Sequence, residues 1–211
     1  MPGLNISRAE ARERSAHLSV TSYVVTIDVC HGPENFIAKS TVKFACNQPG
    51  YDTFIDAVGK RIISAKLNGA DVDVANYDGE SVFLKGLAAD NELVIEIEGD
   101  YSKTGEGLQY SVDPADSEVY LYSQGETAYI RKMYPCFDQP DLKATFQLTV
   151  TAPKHWEVIS NSPVKARNEI AGDKSVWEFL PTPRIPTYIT ALIAGPYYHV
   201  HDEYVGQKTV P

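Results

Sequence analysis

From Tyr23 onward, apolar and polar residues alternate with a period of two. Tyr23, Val25, Ile27 and Val29 fall on one side of the pattern, and Val24, Thr26, Asp28 and Cys30 on the other. After His31-Gly32-Pro33-Glu34 the alternation resumes through Phe36, Ala38, Ser40, Val42 and Phe44. Successive side chains of a strand point to opposite faces, so the pattern predicts two long antiparallel strands with one face in a core. Further strands are expected at Arg61–Leu67, before a tight Asn68-Gly69 turn, and at Ser81–Leu84 and Glu92–Ile97. Later ones are expected at Val119–Ser123, Thr127–Met133, Thr145–Ala152, Trp156–Ser160, Val164–Arg167, Val176–Phe179, Tyr188–Ala194 and Tyr197–His201. The polar stretch Lys103–Ser117 reads as a mobile loop. Ahead of the strands, Ser7-Arg8-Ala9-Glu10 is a capping box that predicts a short helix over Arg8–Ala16. No long helical periodicity follows, and the thirteen prolines and fourteen glycines punctuate strands rather than cluster in a linker. The expected fold is all-β: a large antiparallel multi-sheet β-sandwich with a short N-terminal helix.

Composition narrows the function. A chain of 211 residues, 43% of them hydrophobic, is long enough for one sizeable core. A formal charge of −9 argues against nucleic-acid or anionic-membrane partners, which need basic patches. No window reaches the roughly 18–20 apolar residues of a membrane span. The first residues, MPGLNISRAEARERS, lack the apolar core of a signal peptide. Cys30, Cys46 and Cys136 have no metal-ligand spacing, and their odd number implies reduced thiols and a cytoplasmic location. Cys136 reads as a small buried residue rather than a nucleophile. His199 and His201 share a strand face by spacing, but no third ligand accompanies them, so they read as packing or solvent-facing residues.

The candidate chemistry lies in Tyr120–Phe146, YLYSQGETAYIRKMYPCFDQPDLKATF. On a strand, Gln124 and Glu126 would face the same side, where an amide and a carboxylate can hold a protonated amine by charge-assisted hydrogen bonds. Spacing alone equally fits two polar residues on a solvent face. Arg131 and Lys132 are expected to pair with Asp138 or Asp141 and fix the following turn, and Asp138 is a candidate cap for its own turn.

Four segments, in order, resemble the N-terminal domain of the zinc aminopeptidase N (gluzincin) family, bacterial type. They are Gly105-Glu106-Gly107-Leu108; Gln124-Gly125-Glu126; Tyr134-Pro135-Cys136-Phe137-Asp138-Gln139-Pro140 with Lys143-Ala144-Thr145-Phe146; and Ser160-Asn161-Ser162-Pro163-Val164. Gln139 and Ser162 depart from the family's usual Glu and Met. The resemblance implies that Glu126 binds the free amino terminus of a peptide and that Gln124 lines the same pocket. It implies an unusual or cis peptide at Glu126-Thr127. It also implies zinc in the full-length enzyme, where the metal activates water for hydrolysis of the first peptide bond. The chain contains neither His-Glu-x-x-His nor Gly-x-Met-x-Asn. It therefore reads as a domain with no catalytic residue or metal of its own, inactive alone, whose partners are peptide amino termini and an absent catalytic domain. The expected division is an extension over 1–17, a β-sandwich over 18–202 and the start of a connection over 203–211. An apolar patch is expected around the Gln-x-Glu strand and the Pro135–Pro140 turn. The alternative is a non-catalytic β-sandwich interaction module, in which Gln124 and Glu126 are incidental.

Overall fold

The computed structural model describes residues 5–200 together with 202 and 206. His201, and the connection expected over 203–211 apart from Gly206, lie outside the described residues. Helix α1, Arg8–His17, starts on the capping box: Glu10 N donates to the Ser7 hydroxyl and Ser7 N to the Glu10 carboxylate. Arg14 is its one buried residue.

Fourteen strands follow among the described residues. They are β1 Leu18–Asp28, β2 Asn35–Cys46, β3 Thr53–Asp56, β4 Arg61–Leu67, β5 Ala70–Asp71, β6 Ser81–Leu84, β7 Asp90–Asp100, β8 Gly107–Val112, β9 Val119–Gln124, β10 Thr145–Pro153, β11 Glu157–Ser160, β12 Val164–Ile170, β13 Lys174–Phe179 and β14 Leu192–Gly195. Two single 3-10 turns, Ile130–Lys132 and Thr187–Ile189, interrupt them. The strands form an eight-stranded sheet ordered β12-β13-β10-β1-β2-β7-β4-β5, a four-stranded sheet β11-β14-β9-β8 and a β3-β6 pair. The chain is thus all-β and built of several sheets, as its pattern predicts.

The alternation in β1 and β2 has the expected outcome. Tyr23, Val25 and Ile27, and Phe36, Ala38, Ser40, Val42 and Phe44, are all buried. A bulge between Val20 and Ser22 shifts the phase, so that Leu18 and Val20 also point inward. The Asn68-Gly69 turn has positive φ at both residues, as a tight hairpin requires. Tyr23 stacks on Phe146 of β10 with ring centroids 4.8 Å apart, and Phe44 meets Phe137 edge-on at 5.1 Å. These contacts bring the Pro-Cys-Phe turn against the large sheet.

Four features differ from the pattern reading. The β1–β10 pair is parallel. The hairpin occupies one edge of β1, and a strand arriving after a long connection can take the other edge in either direction. Residues 107–112, expected within a mobile loop, pair along β9 as β8. Gln109 is buried there because Gly105 N donates to its side-chain carbonyl and its amide donates to Tyr110 O. The stretch expected as a strand at Thr127–Met133 is instead a turn and a 3-10 helix. Tyr188 likewise lies in a 3-10 turn, and no strand forms at 197–200.

Candidate functional site

Gln124 is the last residue of β9, and the chain leaves the sheet at Gly125. The period-two argument for Gln124 and Glu126 therefore does not apply. What brings them together is a turn in which Glu126 N donates to Gln124 Oε1 at 3.1 Å. One lone pair of that amide oxygen remains for another donor. Both residues are exposed, and among the described residues no side chain pairs with the Glu126 carboxylate. The Glu126-Thr127 peptide is cis.

The turn is closed by Tyr129 N donating to Gly125 O at 3.0 Å. Gly125 is buried between the two 3-10 turns. A Cβ there would lie 2.6 Å from Ile130 Cδ1 on one side and 2.6 Å from Tyr188 O on the other. The first 3-10 turn is held by a buried charge cluster. Arg131 N and Nε donate to Asp138 Oδ2 at 3.1 and 3.3 Å, and Arg131 Nη1 lies 3.0 Å from Asp56 Oδ1. Asp56 Oδ2 also accepts from Asp138 N at 3.0 Å and from Arg14 Nη1 at 2.9 Å. Arg14 Nε donates to Gln139 Oε1 at 3.0 Å, and its guanidinium lies over the Phe54 ring at 4.7 Å. Burial pushes the Asp138 carboxyl up from its ordinary range; the Thr187 hydroxyl and Arg131 oppose that shift. The expected Arg131–Asp138 pair thus forms, but Asp138 caps the Arg131 amide rather than its own turn. Lys132 pairs with Glu106 instead.

The second 3-10 turn is held by Asp138, by Asn161 and by Thr190, whose hydroxyl donates to Thr187 O and bonds the Tyr134 hydroxyl, each at 2.8 Å. Thr187 donates its hydroxyl to Asp138 Oδ1 at 2.7 Å. Asn161 Nδ2 donates to Ile189 O at 2.9 Å, and Ala191 N donates to Asn161 Oδ1 at 2.7 Å. Gly107 completes the assembly: it pairs with Gln124, has φ +75°, and a Cβ there would sit 2.6 Å from Lys132 Cβ. The four sequence segments that carry the resemblance thus meet around β9 and the two 3-10 turns that flank Gly125. Sequence reasoning missed Arg14, Asp56 and Thr187, none of which lies in a motif.

The expected apolar patch is only half present. Tyr122, Ile193 and Ile159 are exposed and lie opposite one another across β9, β14 and β11, beside Gln124. Residues 135–139 are buried, because Phe137 and Cys136 belong to the core. A cavity of about 560 Å³, lined by Val72, Val74, Tyr77, Val82 and Phe83, shares no residue with this turn. Among the described residues no group of three or more His, Cys, Asp or Glu is placed to hold a metal. No described helix is long and apolar enough to cross a membrane.

Residues 19–189 match the family model for the peptidase M1 N-terminal domain. The chain is 44% identical to an aminopeptidase N of Streptomyces lividans over 208 residues, covering 97% of this chain and 24% of that protein. It is 36% identical to a leucyl aminopeptidase of Saccharolobus solfataricus over 149 residues, 71% of this chain and 19% of that protein. It is 30% identical to an aminopeptidase N of Acetobacter pasteurianus over 183 residues, 82% of this chain and 52% of that protein. The chain thus spans about a quarter of the length of the Streptomyces relative.

Proposed function

The chain belongs to the peptidase M1 N-terminal domain family, and from that membership we propose that it is the non-catalytic, substrate-anchoring domain of a longer zinc aminopeptidase. Glu126 pairs with the α-ammonium of a peptide, and Gln124 Oε1 offers a second acceptor beside it. An ammonium has three donors and no acceptor, so a carboxylate and an amide carbonyl side by side suit it. Anchoring the amino terminus places the first peptide bond at a fixed distance and excludes internal bonds. The observation that carries this reading is the exposed Glu126 carboxylate. It has no partner among the described residues, yet its backbone N–H is held by Gln124, and Gly125 before it packs against Ile130, the neighbour of the buried Arg131.

In this reading the metal and the hydrolytic groups belong to the rest of the longer protein. The exposed row Tyr122–Ile193–Ile159 supports a surface that meets that remainder, since contiguous apolar surface beside a site marks an interface. Three free cysteines fit work in the reducing cytoplasm.

Hydrolysis of a panel of aminoacyl-coumarins tests this reading in three samples: the 211-residue chain, the longer polypeptide that carries it, and that polypeptide with Glu126→Ala. The expected result is a silent chain, an active polypeptide and a variant slowed at least about tenfold, roughly 1.4 kcal/mol of transition-state stabilisation. An unimpaired variant leaves this domain as scaffold. An inactive polypeptide favours an interaction module.

A further inference from the structure

Asp138 meets no substrate in the reading above, yet both arms of the turn's support end on it. Its Oδ2 accepts from the backbone and side chain of Arg131 in the first 3-10 turn, and its Oδ1 accepts from Thr187 in the second. The sequence neighbours of these two residues, Ile130 and Tyr188, are the groups that enclose Gly125. A carboxylate suits this junction because both its oxygens are acceptors and every facing group is a donor. An amide of the same size would turn an N–H toward one of them.

We propose that Asp138 is a positioning residue of the amine site, tying the two 3-10 turns together across Gly125 and so fixing where the next residue, Glu126, is presented. The proposal rests on the reading of Glu126 as the amine anchor. Two further observations support it. Asp138 is 2% exposed, and its carboxylate accepts from the first 3-10 turn on one oxygen and from the second on the other, away from solvent. Asn161 holds the far end of the second turn through Ile189 O and Ala191 N, and Thr190 holds Thr187 O, so the Thr187 hydroxyl is the contact that joins this turn to Asp138.

Thr187→Val is the decisive variant. It keeps shape and removes the one bond joining the second turn to Asp138, while the Asp138–Arg131–Asp56–Arg14 charges stay balanced. Thr187→Ser restores a hydroxyl. In the 211-residue chain, amide hydrogen exchange should quicken at Tyr129, whose N–H bonds Gly125 O, by at least about fivefold in Thr187→Val. It should stay unchanged in β1 and β2 and recover in Thr187→Ser. Unchanged exchange at Tyr129, or equal acceleration throughout the sheets, overturns the proposal. In the longer polypeptide, Thr187→Val should raise KM for leucyl-coumarin about fivefold with kcat within about twofold, and Thr187→Ser should return it. A loosened turn with unchanged KM also overturns it. Glu126→Ala in the same assay separates the two claims. If that variant is unimpaired, the amine-anchor reading falls and the proposal falls with it, whereas exchange at Tyr129 still reports whether the tie holds the turn.

Discussion

At the scale of single residues, two glycines set the shape of the site by what they lack. Gly125 is flanked by backbone on one side, so an added methyl has nowhere to go without moving Tyr188. Gly125→Ala should destabilise the chain by about 1–3 kcal/mol, the usual cost of overpacking a close contact, read as a lower urea midpoint with unchanged slope. Glu106 offers a second check. The Lys132 side-chain hydrogen bond holds its carboxyl below the usual range. A depressed carboxyl pKa contributes stability above its unfolded value and loses it as pH falls through the folded one. The Glu106–Lys132 contact should therefore persist at neutral pH and disappear only on strong acidification. In Lys132→Met the Glu106 titration, followed by carbon NMR, should move up toward an ordinary glutamate. Gln124 and Glu126 were legible as a pair from residue type and family resemblance. Their mutual hydrogen bond was not, because it depends on where β9 ends.

At the scale of elements, the long strands were legible because one face of each enters the core, which forces a strict alternation. The 3-10 turn at Ile130–Lys132 was not. Its residues read as a strand, and the turn is held by Asp138, seven residues on, and by Asp56, far back in the chain. Helix α1 is the other case. It has no apolar stripe, so nothing in its pattern shows that it docks, yet Arg14 is 2% exposed and reaches Asp56. Arg14→Met removes one of two cations facing Asp56 and Asp138. It should cost about 3 kcal/mol, the range for breaking a buried pair while leaving a charge behind, measured by urea denaturation. Replacing Arg8, exposed at the start of the same helix, should change stability by less than about 0.5 kcal/mol.

At the scale of the whole molecule, one core runs through the sheets, burying Cys46 and Cys136 and leaving Cys30 half-buried. Burial pushes the Cys30 thiol up to about 11 and the fully buried Cys136 thiol up as well; Cys46 is buried too. Thiolates are the reactive form, so the folded chain should react with iodoacetamide at pH 8 much more slowly than the chain in denaturant, where three additions should appear by mass. The match to aminopeptidase relatives over nearly the whole chain gives this fold a place in a family, while the sheets alone would fit many functions. Four separated segments meet around the two 3-10 turns beside Glu126.

That convergence makes one measurement decisive: the coupling between Glu126 and the substrate's amine. In the longer polypeptide, kcat/KM is compared for leucyl-coumarin and its des-amino counterpart, 4-methylpentanoyl-coumarin, with Glu126 intact and with Glu126→Ala. The account predicts that the intact protein strongly prefers the amine and that the variant loses at least about tenfold of that preference, a coupling of roughly 1.4 kcal/mol or more. The same preference in both proteins would contradict it, because the amine would then be held by something other than Glu126.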